Sequence, residues 1–300
     1  SYYLRLFEER VLKGRAPEEE YISHRPQEAC PPETLVGHLR RTLSYARGLR
    51  DHEGAVARLA RRLDGSLEFG RAREVARFLL GFVAAYHDIG KACVQYQLYA
   101  HGVLDGVRPP LHNYASVAFI VSDKGILEGF LDILVSRYGV DVKAAEWMYN
   151  AGLTAILMHH EYYDYRDLSF IEVLTPMTLA LAKGMNLNEE LAFHRTAYAL
   201  LDSIDVQPKP AAGGDLIVPI GVAVEHATNL HYELGALPLA LSEGEHEELE
   251  RDVKWALALA EALTWALAVA DNLAASHRCG GRERGALGAK IVEHYGVALP

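Results

Sequence analysis

The stretch Val75–Ala92, VARFLLGFVAAYHDIGKA, joins an apolar run to a short polar cluster. Its apolar residues recur at intervals of three and four, which predicts an amphipathic helix packed in a core. The polar cluster, formed by His87, Asp88 and Lys91, follows where that helix ends. A polar group buried there costs several kcal/mol unless it is paired or bound to a metal. The stretch therefore predicts a buried helix with a group of functional side chains at its end.

The composition favours a helical fold class. The chain has 300 residues, half of them apolar, so it can bury a large core. Leu and Ala dominate, and residues that favour helices outnumber β-branched residues over most segments. The sequence shows no clean domain boundary and no internal repeat. We therefore expect an all-α protein with a single domain over 1–300, in which 205–245 is an insertion.

Helical periodicity extends to most of the chain. The stretch TLVGHLRRTLSYARGL at 34–49 has the same apolar stripe as the first. Further helices are expected near 114–122, 126–138, 142–159, 171–183, 187–204, 247–276 and 284–295. Strand character is confined to LIVPIGVAVEHATNLHYEL after residue 215, which predicts a small β-hairpin around 215–235, although Pro219 disfavours a paired strand.

Charge and cysteine content limit the function classes. The formal net charge is −10, yet residues 1–100 carry 16 Lys and Arg against 13 Asp and Glu, so the first third is the better platform for nucleic acid. Three widely spaced cysteines indicate neither a disulfide framework nor a zinc knuckle and favour a reducing cytoplasm. A Gly-rich nucleotide-binding loop ending in Gly-Lys-Ser/Thr is absent, so we expect no ATP hydrolysis.

A membrane location is not expected. The most apolar stretch, WALALAEALTWALAVADNLAA from residue 255, is interrupted by Glu261 and Asp271 and suits a helix buried in protein. The N-terminal stretch SYYLRLFEERVLKGR lacks the apolar block of a signal peptide. These patterns predict a cytoplasmic protein without membrane partners.

Other polar residues stand at similarly apolar places. His38 lies at the edge of a helical stripe, His112 follows a Pro-Pro turn, His159 and His160 end the run AGLTAILMHH, and Asp271 lies in the most apolar helix. We expect these residues to converge on His87 and Asp88. Five imidazoles and two carboxylates exceed the needs of one tetrahedral zinc ion. They suit two transition-metal ions of higher coordination number that share a bridging carboxylate.

The ordered series of His38, HDIGKACVQYQ, LHNYAS, LMHH and VADNLAAS resembles the HD superfamily of metal-dependent phosphohydrolases. More narrowly it resembles the HD nuclease of type I CRISPR systems, the nuclease half of the CRISPR-associated helicase-nuclease. The dipeptide alone is weak, because chance supplies His-Asp pairs at this composition. The combination with QYQ, the His-x3-Ser of His112 and Ser116, and the late Asp is far more specific.

The resemblance implies an HD-type helical domain, two metal sites and a catalytic pair, Asp88 and Lys91. The first site takes His38, His87, Asp88 and Asp271, and the second takes Asp88, His112, His159 and His160. Asp88 bridges the two divalent ions, which are Mn, Fe, Co or Ni by ligand type, with Mg as a further candidate. Lys91 matches the lysine that meets the scissile phosphate.

The resemblance also implies single-stranded DNA as substrate, a separate helicase subunit and the CRISPR RNA-guided surveillance complex as partners. Two features depart from the family pattern: the gap before Asp271 is long, and Ser276 stands one position late, which leaves its role open. Candidate DNA contacts are the loop residues Tyr162, Tyr163, Tyr165 and Arg166, and on the His38 helix Arg40, Arg41 and Arg47. Either set is equally compatible with ordinary loop and solvated-helix residues.

Two other functions fit the same residues. One is an HD phosphohydrolase acting on nucleotides or cyclic dinucleotides, and the other is a non-catalytic HD scaffold that recruits a helicase. Cys93 is expected to be a packing residue. Ordinary surface or core roles are expected for the remaining histidines, which are His24, His52, His101, His194, His226, His231, His246, His277 and His294.

Overall fold

The computed structural model of the chain describes residues 2–24, 32–104, 110–160, 184, 186–211, 213–223, 225, 243–276 and 294. Its helices are α1 (Tyr2–Phe7), α2 (Pro17–Glu20), α3 (Leu35–Gly48), α4 (Arg50–Leu63), α5 (Phe69–Tyr86), α6 (Val94–Ala100), α7 (His112–Ser122), α8 (Lys124–Asp132), α9 (Val142–Met158), α10 (Thr196–Asp202) and α11 (Glu243–Ala275). Short π-helical turns follow α1 and α8, at Glu8–Leu12 and Ile133–Arg137, and a 3₁₀ turn at Ile89–Ala92 follows α5. The all-α prediction is confirmed.

Helix α5 forms because its apolar residues share one face. Val75, Leu79 and Phe82 have no exposed surface, and Tyr86 ends the helix equally buried. The 3₁₀ turn that follows is buried along its whole length. The HD dipeptide between these two elements therefore lies inside the core, where the sequence predicted it.

Helix α11 is the long element against which the domain packs. It contacts α3, α4, α5 and α9. Among the described residues it is the helix whose length and composition would suit a membrane span, over Glu247–Ala275, and 61% of its most apolar window is buried by protein. Its apolar sequence thus serves helix packing in this fold, and that packing brings Asp271 into the middle of the bundle.

A two-stranded sheet replaces part of a predicted helix. β1 (Glu190–Phe193) pairs antiparallel with β2 (Leu216–Pro219), and Glu190 lies opposite Pro219. The strand predicted after residue 215 is present as β2, and its partner among the described residues lies upstream; residues 226–235 of the predicted hairpin are outside the described part of the chain. The helix predicted over 187–204 was wrong in its first half, because α10 begins only at Thr196.

The side chain of Gln95 explains why β1 is extended. Its amide donates to the carbonyl of Glu190 (2.7 Å) and accepts from the backbone N–H of Ala192 (3.1 Å). Gln95 therefore acts as a second edge partner for β1, and helical periodicity in the local sequence could not report this. The helices predicted over 171–183 and 284–295, and the hairpin beyond residue 225, lie outside the described residues.

The described part of the expected insertion packs on the helical domain. Tyr86 donates to the carbonyl of Pro208 (2.6 Å), and the backbone N–H of Ala211 donates to Asp123 (3.0 Å). Arg47 on α3 forms an ion pair with Asp205 (3.1 Å). These contacts fix residues 205–211 against α3, α5 and the start of α8. The single domain over 1–300 stays a prediction.

Candidate metal centre

His87 and Asp88 are delivered by the end of α5. The backbone N–H of His87 still donates to Val83 (3.0 Å), so the helix continues up to the dipeptide. Asp88 leaves helical geometry at φ −109° and ψ 7°, and the 3₁₀ turn begins behind it. This change of direction turns both side chains toward the space enclosed by α3, α7, α9 and α11, and both are buried.

The first group of facing side chains contains His38, His87, Asp88 and Asp271. The Nε2 atom of His38 lies 3.0 Å from Asp271 Oδ1 and 3.3 Å from Asp88 Oδ2. The Nε2 atom of His87 lies 3.6 Å and 3.5 Å from the same two oxygens. One ligand atom from each residue falls within 4.8 Å of the others, a spacing that a single metal ion can bridge.

The second group contains Asp88, His112, His159 and His160. Asp88 Oδ1 lies 3.2 Å from His112 Nε2 and 4.0 Å from His159 Nε2. The Nε2 atoms of His112 and His160 are 2.7 Å apart, and this group also meets the 4.8 Å limit. The structure thus brings together all seven side chains that the sequence predicted to converge.

Asp88 belongs to both groups through different oxygens. Its Oδ2 atom faces His38 and His87, whereas its Oδ1 atom faces His112 and His159. Lys91 adds a cation on the Oδ2 side, with Nζ at 2.7 Å. A carboxylate with each oxygen turned toward a separate set of imidazoles has the geometry of a bridging ligand.

The orientation of two imidazoles fits metal binding. Nδ1 of His87 donates to the carbonyl of Ala84 (2.9 Å), and Nδ1 of His159 donates to the carbonyl of Ile156 (2.6 Å). Since a carbonyl only accepts, the proton of each neutral ring is on Nδ1, and Nε2 carries the free lone pair. Both Nε2 atoms are buried and make no hydrogen bond of acceptable geometry within the described residues. Buried lone pairs of this kind suit a metal ion.

Electrostatics leave the second group of imidazoles neutral. Burial, together with the neighbouring His87, lowers the pKa of His159 to about 3. Burial also lowers the pKa of His112. Desolvation of the ring, together with the neighbouring His159 and His112, holds the pKa of His160 well below its usual range, although part of this residue is exposed. Neutral imidazole is the form that binds a metal, so this group is available as a ligand set at neutral pH.

The two carboxyl groups are held ionised. Burial alone would raise the pKa of Asp88, but Lys91, His87 and His112 outweigh it and keep that pKa well below its usual range. Burial would also raise the pKa of Asp271, but His38 and His87 outweigh burial and keep that pKa well below its usual range. Burial lowers the pKa of His38, but hydrogen bonds to Asp271 and Asp88 raise it overall. The two anionic carboxylates and the neutral imidazoles of the second group together form a donor set for divalent cations.

Residues of the LHNYAS motif form hydrogen bonds to two other segments that carry candidate ligands. Ser116 accepts a hydrogen bond from the backbone N–H of Gly90 (2.8 Å) and donates to the carbonyl of His87 (2.6 Å). Asn113 donates to the carbonyl of Leu157 at the end of α9 (2.6 Å). The helix that carries His112 is therefore tied to both neighbouring ligand segments. The sequence marked Ser116 as part of a pattern without showing this role.

The QYQ motif holds residues 21–24 beside the centre. The amide of Gln97 accepts from the backbone N–H of Ile22 (3.0 Å) and donates to its carbonyl (2.9 Å) and to that of Lys91 (2.7 Å). Tyr96 donates to the carbonyl of Ser23 (2.7 Å). His24 then lies with its ring centroid 6.1 Å from that of His38. Sequence reasoning placed His24 among the ordinary residues, because only these distant contacts bring it to the site.

The three arginines of α3 that were candidate DNA contacts bind groups of the protein. Arg40 donates to the carbonyl of Ser203, Arg41 pairs with Glu33, and Arg47 pairs with Asp205. The tyrosines and arginine predicted at 162–166 lie outside the described residues. These arginines therefore have structural partners, as expected for ordinary helix residues.

Two residues near the centre have local roles. Ser276 is buried and donates to the carbonyl of Leu273 (2.6 Å), so it caps the end of α11. Cys93 is buried at the start of α6, where its sulfur accepts from the backbone N–H of Tyr96 (3.4 Å). Burial raises the pKa of the Cys93 thiol to about 12, so it stays protonated and inert.

Comparison with known proteins agrees with this geometry. Residues 23–168, just under half of the chain, match the family model described as Cas3, HD domain. No curated protein and no solved structure matches the chain. The matched segment contains all the candidate ligands except Asp271, which the fold supplies from α11.

Proposed function

We propose that the chain cuts single-stranded DNA with two divalent ions. The premise is that residues 23–168 match the Cas3, HD domain family, the metal-dependent nuclease of type I CRISPR systems. The observation that supports two ions is the pair of four-residue groups that share Asp88. His38, His87 and Asp271 would complete the first site, and His112, His159 and His160 the second. When bound, the two ions would supply an activated water and Lewis-acid stabilisation of the phosphodiester.

The chain's own residues provide positioning and charge. His87 and His159 are oriented by backbone carbonyls, so their Nε2 atoms are preorganised toward the centre. Burial lowers the pKa of Lys91, but Asp88 outweighs burial and raises it, so the ammonium stays charged. We propose that Lys91 neutralises a non-bridging phosphate oxygen while charge develops on it.

The ligand types suggest which metals support activity. An imidazole-rich set with two carboxylates favours Mn, Fe, Co or Ni, and Mg is a further candidate because carboxylate oxygens contribute to both groups.

Access to the centre supports a single strand as substrate. His38, His87, Asp88 and His159 are buried, whereas His160 is exposed. Within the described residues, the ligands that a substrate can approach are therefore His160 and the partly exposed His112 and Asp271, and the others are recessed behind them. A flexible strand reaches such a site more easily than a rigid duplex. We propose that a separate helicase, acting with the RNA-guided surveillance complex in the cytoplasm, provides that strand.

A nuclease assay with matched substrates tests the proposal. Metal-loaded protein would be incubated with end-labelled single-stranded DNA, duplex DNA, single-stranded RNA, nucleotides and cyclic dinucleotides. We expect cleavage of single-stranded DNA with Mn²⁺, Co²⁺ or Ni²⁺, no cleavage in EDTA, and none by Asp88→Asn. Equal cleavage in EDTA would contradict the metal mechanism.

The same assay separates the alternatives. Hydrolysis confined to nucleotides or cyclic dinucleotides would identify a phosphohydrolase instead. Protein that holds no metal, cuts nothing and still binds a helicase would identify a scaffold. A scaffold has no need for seven converging ligands, and the two described groups therefore favour a metal-dependent enzyme over a scaffold.

A further inference from the structure

His38 differs from the other buried ligands in what faces its Nδ1 atom. The Nδ1 atoms of His87 and His159 donate hydrogen bonds to the backbone carbonyls of Ala84 and Ile156, respectively. The Nδ1 atom of His38 instead faces the carboxylate of Glu33, with Oε2 at 3.5 Å. The Glu33 side chain is only 7% exposed, so this carboxylate lies inside the protein next to the first ligand group.

The start of α3 explains the pairing. Thr34 is the N-cap of α3, and its hydroxyl accepts from the backbone N–H of Gly37 (3.2 Å). Glu33 therefore precedes the cap, and His38 is the fourth residue of the helix. Side chains at these two positions commonly meet across the first turn, where apolar pairs form a hydrophobic staple. Here the two positions hold a carboxylate and an imidazole.

Arg41 fixes the other oxygen of Glu33. Its guanidinium donates to Oε1, one helical turn beyond His38. The same carboxylate also lies 3.7 Å from Nδ1 of His24, through Oε2. Glu33 is thus held between a cation and two imidazoles, with one oxygen directed to the back of a candidate metal ligand.

We propose that Glu33 is the positioning residue for His38. With a metal bound at Nε2, the Glu33 carboxylate, 3.5 Å from Nδ1, would accept the Nδ1 proton, orient the ring and increase the basicity of Nε2. This inference rests on the proposed metal-dependent function. It adds Glu33, which is not one of the seven converging side chains. It also distinguishes the first site, where a carboxylate faces the Nδ1 atom of one ligand, from the second.

Metal binding by matched variants tests the role. Mn²⁺ or Co²⁺ affinity and stoichiometry would be measured by calorimetry for wild type, Glu33→Gln, Arg41→Met and Glu53→Gln. We expect Glu33→Gln to weaken one site by about 10- to 100-fold and to leave the other unchanged. Glu53→Gln is the control, because Glu53 is also buried and paired with arginines, Arg73 and Arg77, but lies outside both ligand groups.

Arg41→Met separates positioning from structural support. This variant loses the ion pair but keeps the carboxylate, so we expect a smaller loss of affinity than in Glu33→Gln. Equal losses of affinity in the two variants, with equal falls in melting temperature, would show a purely structural role and overturn the proposal. Wild-type affinity at both sites in Glu33→Gln would overturn it as well.

The Nδ1 proton of His38 gives a readout that does not depend on catalysis. ¹H–¹⁵N NMR of the Zn²⁺-loaded protein, in which a metal occupies Nε2, should show this proton shifted downfield by the Glu33 carboxylate in wild type and less so in Glu33→Gln. An unchanged shift in the variant would overturn the role of Glu33. A wild-type protein that binds two ions but cuts no DNA would refute the proposed function and leave this inference standing.

Discussion

At the residue scale, Asp88 is the side chain on which the centre depends. Each of its oxygens faces a different ligand group, and Lys91 balances its charge at 2.7 Å. The sequence identified Asp88 from the HD motif and its place at the end of an apolar helix. It did not reveal Glu33, because a glutamate before an N-cap is common and only the structure shows it facing His38.

Substitutions of single ligands should separate the two sites. Asp271→Asn removes a ligand from the first group only, His112→Ala from the second only, and Asp88→Asn from both. We expect about two ions per chain in wild type, about one in each of the first two variants, and almost none in Asp88→Asn. Metal content after gel filtration, with circular dichroism to confirm folding, measures this. Retention of both ions by Asp88→Asn would contradict the shared carboxylate.

Glu53, which lies outside the metal centre, allows a test of how the free energy of unfolding depends on pH. Burial would raise the pKa of Glu53, but hydrogen bonds from Arg77 and Arg73 outweigh it and lower that pKa. A carboxyl group whose pKa is lower in the folded state stabilises the fold above its unfolded pKa, and this contribution is lost as pH falls through the folded value. Both arginines are partly exposed, so we expect Glu53→Gln to lower the free energy of unfolding by about 1–2 kcal/mol at pH 7.

Urea unfolding of wild type and Glu53→Gln at pH 7 and at pH 3 measures the effect. The difference between the two proteins should shrink as the pH falls, since protonation of Glu53 in wild type removes its ion pairs with Arg73 and Arg77. A difference that grows as pH falls would show that the ion pairs do not provide the stabilisation.

At the element scale, the 3₁₀ turn and α7 set the distance between the two ligand groups. The turn carries Gly90, whose backbone N–H donates to Ser116 on α7. A Cβ atom at Gly90 would overlap the carbonyl oxygen of His112 and would lie 2.5 Å from the backbone nitrogen of Ser116. Only glycine lets the backbone of α7 approach the HD turn this closely.

Gly90→Ala should therefore damage the second site. We expect a loss of about 1–3 kcal/mol in unfolding free energy from overpacking, and weaker metal binding because His112 is displaced. Gly70→Ala is the control: it lies in α5 with no atom within 4 Å of its added Cβ, and should be neutral or stabilising by about 0.5–1 kcal/mol. Chemical denaturation and metal content measure both. Normal metal content in Gly90→Ala would contradict this account of the turn.

At the scale of the whole molecule, the candidate ligands come from five separate places along the chain. They lie on α3, at the end of α5, at the start of α7, at the end of α9 and on α11. Ions bound at such a centre would join these elements, and since the unfolded chain has no such centre, binding adds to the stability of the fold.

Metal addition should accordingly raise the melting temperature. At a free Mn²⁺ concentration 100 times the dissociation constant, one site contributes about 2.7 kcal/mol. Thermal unfolding across a Mn²⁺ titration should show this gain in wild type, a smaller one in Asp271→Asn, and none in Asp88→Asn. A melting temperature that does not respond to Mn²⁺ or to EDTA would contradict binding at the centre.

The sequence determined most of the helices and the choice of ligands. Apolar spacing predicted α3, α5, α7, α9 and α11, because burial on one face of a helix leaves a periodic signal in neighbouring residues. It also marked the seven polar residues, since uncompensated polar groups at apolar places need a partner.

Only the tertiary structure decided the pairings between distant segments. β1 was missed because its partners are β2 and the amide of Gln95, and residues 21–24 reach the centre only through Gln97 and Tyr96. The family resemblance had assigned Asp88 to both ligand groups, but which of its oxygens faces each group was set by the packing of α7 and α11 around α5. Such contacts join residues far apart in the chain, and the energies that select them come from packing in three dimensions, which leaves no periodic pattern in the sequence.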